Sequence, residues 1–385
     1  MTGPKAYIVA ARRAANGRLG GIHRNRRLED LAAPVLAQTL ADARIEPADV
    51  DLLIVGNTTA GSNPARLIAL VAGLSDRAVT MTVDRHAASG LQAIELAVRA
   101  VANGEAEIVA AGGAEALSTA PWRLAKPRTL SHTPRFIGLS QADDGDHSDH
   151  ALIEAAEALA KRLDLQRSQQ DEFALASHIR AGLARDDRKM GREIVPLKAR
   201  VEEGRDELVG DADIEDLEAM PAVLGEGTLT AGNMSLPADG AAFVVAVSEH
   251  VYQRLGRPPA LVLRASASIG VAPAADIEAP IAVARALALR SGAKPLPEID
   301  AIEFGETSAV QALAFRSALE LNDAVLNADG GQIARGQPAG ASSAVLVVRL
   351  FSRLVRAELA APSARGAAVI GASGAQALAA LFERV

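Results

Sequence analysis

Short runs rich in Val, Ile, Leu and Ala, mostly without a polar break, recur along the chain. They lie at Tyr7–Ala11, Leu52–Val55, Glu107–Ala111, Phe243–Val247, Leu261–Leu263, Ala301–Phe304, Ala344–Val348 and Ala367–Ile370. Runs with no polar face suit strands covered by helices on both sides. Between them, Leu31–Ala43 places Leu31, Ala32, Val35, Leu36, Leu40 and Ala43 on one helical stripe. A cap near Asp30 sets Pro34 in the first turn, where proline is tolerated. Leu91–Val101 and Pro280–Ser291 also read as helices, and Ser168-Gln169-Gln170-Asp171 resembles a capping box opening another. The pattern predicts an α/β protein with buried sheets.

The chain also repeats itself. Val50–Thr58 lines up without a gap on Ile299–Thr307, each copy preceded by a Pro-containing turn, Ile45-Glu46-Pro47 and Pro295-Leu296-Pro297. Ile108–Gly113 matches Val369–Gly374, a strand ending in a Gly-bearing turn in both copies. Two similar halves therefore flank a different middle. The expected division is an N-terminal half over 1–118 plus 240–258, an inserted loop or lid domain over 119–239, and a C-terminal half over 259–385.

At 385 residues the chain is long enough for roughly two to three domains. Hydrophobic residues at 49% and charged ones at 23% exclude a largely disordered chain. Aromatics are only 3%, so aliphatic residues must build the core. A net charge of −7 makes nucleic acid a poor partner. No apolar stretch reaches the ~20 residues of a membrane span, and Met1–Gly20 lacks a signal-peptide core, so a cytoplasmic protein is expected. There is no cysteine, which excludes disulfides, thiolate metal sites and thiol nucleophiles.

Three stretches can carry chemistry. In Thr82–Ile94 a strand end turns sharply through small residues into a helix, and the helix N-terminus near Ala87 favours negative charge. This is either a nucleophile or oxyanion corner or a tight packing turn. Asp329–Ser342 is rich in small residues around Gln337, as where backbone approaches a ligand or merely connects elements. Gly227–Ser235 is a polar, Gly-bearing loop at the mouth of the insert.

Taken together, these stretches resemble the thiolases, which cleave or form 3-oxoacyl-coenzyme A by Claisen chemistry. The similarity runs nearly end to end, through Gly56-Asn57 with Asn63–Arg66, Ser89–Ile94, Ala111–Glu115, Gln170–Ala174 with Ser177-His178, Thr230–Asn233, Asp239–Ala242 and Gly340-Ala341-Ser342. It implies a duplicated five-layer α-β-α-β-α core with an inserted loop domain. It also implies a homodimer or homotetramer that binds acyl-CoA.

The catalytic positions carry over with different side chains. The family's nucleophilic cysteine falls at Ala87, and a methyl group cannot attack a thioester. Its Gly-His-Pro histidine falls at Gln337, a neutral amide that takes no proton near pH 7. The asparagine of Asn-Glu-Ala-Phe falls at Gly305, with Glu306 kept, and the second cysteine falls at Gly371, followed by Ser373. A methionine near the insert is replaced around Leu152. Ser235 matches the position that contacts the pantetheine arm, in a turn that keeps Ala231 and Gly232. Backbone N–H groups at Ala87 and near Ser373 remain available as an oxyanion hole.

The remaining candidates carry two readings each. His86 is either a replacement base or a ring packed under the turn, and Ser89 reads as a helix cap. Ser373 lies in Gly371-Ala372-Ser373-Gly374-Ala375, which lacks the last glycine of a nucleophile elbow. Asp143, Asp144, Asp146, His147, Asp149 and His150 read as a solvated acidic loop rather than a cation site, because an EF-hand counted from Asp144 meets Ala155 where a glutamate is needed. His23–Arg27 is a basic run fit either to steer CoA phosphates or to form a polar rim, and His132, His178 and His250 share no ligand spacing. No metal or resident cofactor is expected; coenzyme A enters as ligand. The expected function is a non-catalytic acyl-CoA-binding paralogue or a partner of an active thiolase-like subunit. The alternative is altered chemistry on CoA thioesters, hydrolysis or decarboxylation.

Overall fold

The side chains of successive strand residues separate onto two buried faces, and this alternation dictates the layering. The computed structural model describes residues 6–127, 129, 133, 135–137, 150–187, 192–197, 204–210, 212–291, 299–357 and 361–385. The first half contains β1 (Ala6–Arg13), β2 (Gly17–Arg18), α1 (Leu28–Ala43), β3 (Leu52–Gly56), α2 (Pro64–Val71), β4 (Val79–Val83), α3 (Ser89–Ala102) and β5 (Ile108–Glu115). Then come β6 (Leu124–Ala125), β7 (Arg135–Phe136), α4 (His150–Arg162), α5 (Arg167–Asp186), α6 (Ile214–Glu218), β8 (Ala238–Ser248) and α7 (Glu249–Arg254). The second half contains β9 (Leu261–Gly270), α8 (Ala279–Ser291), β10 (Ala301–Gly305), α9 (Ala309–Ala318), α10 (Gln332–Arg335), α11 (Ser342–Phe351), β11 (Arg365–Ala372) and β12 (Gln376–Arg384).

The strands order as β10-β11-β12-β9-β1-β8-β5-β3-β4. β3 is parallel to β4 and β5, β10 is parallel to β11, and β8 and β12 run antiparallel to their neighbours. A single pairing, Ile8 with Leu261, joins the halves. Outward from that join β9-β12-β11-β10 mirrors β1-β8-β5-β3, as a duplication requires, and β4 extends the first half by one further strand. Leu52 pairs with Val109 and Ala301 with Gly366, so the counterpart of Ile108 is Arg365. Aligning Ile108 with Val369 is thus four residues out of register.

Three clusters fill the spaces between layers. Ile54, Val244, Ile370 and Leu378 point inward onto α3 and α11, while Leu53, Val245, Val369 and Leu381 point outward. α1 and α2 cover the outer face of the first sheet half; α8 and α9 cover that of the second. The result is the expected five-layer sandwich, with α3 and α11 as its middle.

The run Ala344–Val348 therefore belongs to a helix, not a strand. Every residue of α11 is buried, because sheets lie on both sides of it and no polar face is needed. α1 begins at Leu28, so Pro34 lies in the second turn, its ring removing an N–H from the ladder. α5 begins at Arg167, where the Gln166 N–H donates to Gln169 Oε1 at 2.8 Å. Asp171 instead accepts from Arg167 and, at 2.9 Å, from Asn233, so the serine-capped start is replaced by one two residues earlier.

Candidate functional site

The turn from β4 into α3 is pinned by its own side chains. Asp84 Oδ1 accepts the His86 N–H at 3.0 Å, and His86 takes a left-handed φ of 52°. Ser89 Oγ accepts the Arg85 N–H at 2.7 Å and donates to the His86 carbonyl at 2.5 Å. Ser89 thus fastens the turn that precedes the helix and does not cap it: α3 has Ala88 at its N-cap, whose side chain makes no cap hydrogen bond. Ala87 is buried at the mouth of α3, its carbonyl accepting from Ser343 Oγ at 2.8 Å.

Glu115, fully buried at the end of β5, ties neighbouring loops to this corner. Its carboxylate accepts from Asn57 Nδ2 at 2.9 Å, from the N–H and hydroxyl of Thr58 at 3.0 and 2.8 Å, and from the Gly340 N–H at 3.0 Å. A Cβ on Gly340 would sit 2.8 Å from Asn57 Cα, so only glycine lets these loops approach. Loops following parallel strands thus gather at the strands' carboxyl ends, where open α/β sheets place ligands.

A cavity of about 280 Å³ opens among these loops. Ala87, Gln337 and Gly371 all line it, with His86, Ser235 and Ser373. Leu117, Leu152, Ile153, Leu229, Met234 and Ile277 make its apolar wall. His86 and Asp276 are the titratable groups among the described residues lining it. Ser235 Oγ donates toward the Thr307 carbonyl at 3.3 Å and Gln337 Oε1 at 3.1 Å. With its oxygen so engaged, Gln337 offers the cavity an amide N–H donor.

Asp276 carries no sequence signal, since 190 residues of chain separate it from His86. It sits in a short 3₁₀ helix, Pro273–Glu278. Burial pushes its carboxyl above the usual carboxylate range, opposed by the Ala375 N–H and by the charge of His86.

Other predicted positions lie elsewhere. Gly305 ends β10 behind the cavity wall; a Cβ there would meet Ile370 Cδ1 at 2.8 Å and Gln332 Oε1 at 3.3 Å. Both amide atoms of Gln332 are buried without a hydrogen-bond partner, so this side chain sits beside the position where the resemblance expects an asparagine. Glu306 is buried beside Asn327 Nδ2, which donates to it, and burial pushes its carboxyl up to about 7. Ala231 and Gly232 line a separate cavity, also about 280 Å³, with His178, whose Nδ1 is buried and unpartnered.

His23 is buried, its Nε2 2.8 Å from the Ala15 carbonyl. His132, Asp143, Asp144, Asp146, His147 and Asp149 lie outside the described residues, as does the side chain of His150. Among the described residues no group of three or more His, Asp or Glu is placed to hold a metal, and no helix is long and apolar enough to cross a membrane.

Comparison with known proteins follows the same lines. The model of the thiolase N-terminal domain matches residues 6–250, and that of the thiolase C-terminal domain matches 258–384. A Staphylococcus epidermidis protein provisionally named acetyl-CoA C-acetyltransferase is 34% identical over 383 residues, covering 98% of each chain. The crystal structure of the Bacillus anthracis acetyl-CoA acetyltransferase superposes with a TM-score of 0.91 at 31% identity, covering 100% of this chain and 99% of that one. Human mitochondrial 3-ketoacyl-CoA thiolase superposes with a TM-score of 0.88 at 26% identity over 99% of each.

Proposed function

This chain belongs to the thiolase family, and from that premise we propose that it binds acyl-CoA without carrying out the family's acyl transfer. One observation carries the reading: the cavity wall where Ala87, Gln337 and Gly371 converge offers a methyl, an amide and a hydrogen. Covalent transfer needs a nucleophile, and no cysteine exists anywhere in the chain to supply one. Acid–base assistance is worth roughly 10²–10⁴-fold and an oxyanion donor about 10²–10³-fold, so losing them together with the thiol removes turnover. What supports binding is the apolar wall and the Ser235 hydroxyl on its polar side. Coenzyme A is then a ligand, and the protein acts as a homo-oligomer or beside an active thiolase-like subunit.

A second reading rests on His86 and Asp276, the titratable pair in the same cavity. For hydrolysis, His86 would take a proton from water as its oxygen adds to the thioester carbonyl. The C–S bond then breaks and the departing thiolate receives that proton. Decarboxylation would need little beyond an oxyanion hole.

The deciding experiment uses purified protein with CoA, acetyl-CoA and acetoacetyl-CoA. Calorimetry should show binding, while thiolysis of acetoacetyl-CoA stays at the empty-vector background. Thiolysis clearly above that background sinks the proposal. Mass spectrometry of an acyl-CoA panel separates the readings, since free acids or decarboxylated thioesters appear only under the second. Ala87→Cys alone is expected to leave thiolysis at background, because Gln337 still cannot accept a proton.

A further inference from the structure

The cavity does not end at His86. An open, polar hollow of about 580 Å³ adjoins it, and His86 and Ser373 line both spaces. Arg85 and Arg123 line only the second, with Asp84 as its acidic member. Arg85 donates to Gln92 Oε1 at 2.8 Å and to Ser268 Oγ, both neutral oxygens. Arg123 donates to the Thr58 carbonyl. Neither guanidinium makes an ion pair with a carboxylate among the described residues, although Glu95 acts on Arg85 from further off. Asp84 spends one carboxylate oxygen on the His86 N–H. Two cations thus face one carboxylate in a half-enclosed space.

Resting on the acyl-CoA reading above, we propose that the acyl group held here ends in a carboxylate, which Arg85 and Arg123 receive. The direction of the ligand follows from the lining. Ser235 and the apolar wall occupy one side of the His86–Ser373 junction, and the two guanidiniums occupy the other. With pantetheine along the apolar side and the thioester at the junction, only the acyl end reaches the arginines. The phosphates of CoA lie at the opposite end of the same molecule. A plain alkyl chain would gain nothing in this hollow and would take water from two cations, whereas a carboxylate meets planar donors suited to it.

The test is calorimetry of the whole protein with adipoyl-CoA against hexanoyl-CoA, equal in carbon number, and with longer and shorter homologues of each. At the length that spans the junction, the dicarboxylic thioester should bind about tenfold more tightly or better, the range of one charge-assisted hydrogen bond. The preference should shrink as ionic strength rises. Arg85→Gln and Arg123→Gln should each bring the pair close to parity while leaving the affinity for CoA unchanged. Thermal unfolding verifies that both variants fold. Equal binding of mono- and dicarboxylic thioesters at every length, with CoA still bound, overturns this proposal alone. Failure to bind any CoA thioester overturns the parent reading and this one with it.

Discussion

Glu193→Gln should destabilise the protein by about 3–5 kcal/mol, the usual cost of stripping one partner from a buried ion pair. The carboxylate is fully buried and accepts from Arg13 Nε and Arg349 Nη1, both at 2.9 Å. Arg13 also binds Asp206 at 2.6 Å, and Arg349 binds Asp329 at 2.5 Å. Glutamine preserves shape but leaves one positive charge uncompensated in the core. A second route gives a similar size. Burial opposes ionisation of Glu193, but Arg349, Arg13 and Arg335 outweigh it and hold the carboxyl at about 2 against an ordinary 4.5. That depression contributes roughly 3 kcal/mol at neutral pH. Its sign is set by the folded state holding the group ionised. The contribution is complete above 4.5 and fades as pH falls toward about 2. Urea unfolding followed by circular dichroism, at a series of pH values, measures it. The gap between wild type and variant should be constant near neutrality and should narrow in acid. A loss below about 1 kcal/mol, or a gap that stays flat through the acid range, would refute the reasoning.

Three further substitutions follow from the same structure. Gly371→Cys should fold normally, because a Cβ there meets nothing closer than Pro280 Cγ at 3.4 Å, whereas Gly305→Asn should lose roughly 1–3 kcal/mol by collision with Ile370 and Gln332, read as a drop in Tm. Glu306 shows the opposite sign to Glu193: its folded-state carboxyl is raised to about 7, so ionising it costs stability as pH climbs from 4.5 through 7. Wild type should therefore lose Tm between weakly acidic and weakly alkaline buffer, and Glu306→Gln should lose less, with equal slopes for the two proteins counting against it.

Much of the fold was legible in the residues. Seven of the eight apolar runs named at the outset mark strands, six lying wholly inside one and Glu107–Ala111 starting one residue before β5, because a strand covered on both faces has no polar position to hide. The eighth, Ala344–Val348, is equally apolar but helical. A short run of that kind is the same whether its neighbours are two sheets or two helix layers, and only the assembled sandwich distinguishes them. The strand end read at Thr82 closes Val79–Val83, whose start was not legible because this edge strand alternates with threonine and buries none of its residues. The register of the internal repeat was also beyond the residues, since glycines near both strand ends allow more than one alignment.

For the site, sequence alone determined chemistry that no folding can restore. A chain without cysteine has no thiol, and Ala87, Gln337 and Gly371 carry neither nucleophile nor base wherever they come to rest. Tertiary structure decided which positions share a space. It set Ser235 in the cavity and turned Ala231 and Gly232 to another, put Gln332 beside Gly305, and brought Asp276 into the wall that holds His86. Those outcomes depend on contacts between residues tens to hundreds of positions apart. Side-chain identity is a property of the chain itself, whereas proximity exists only once the layers close.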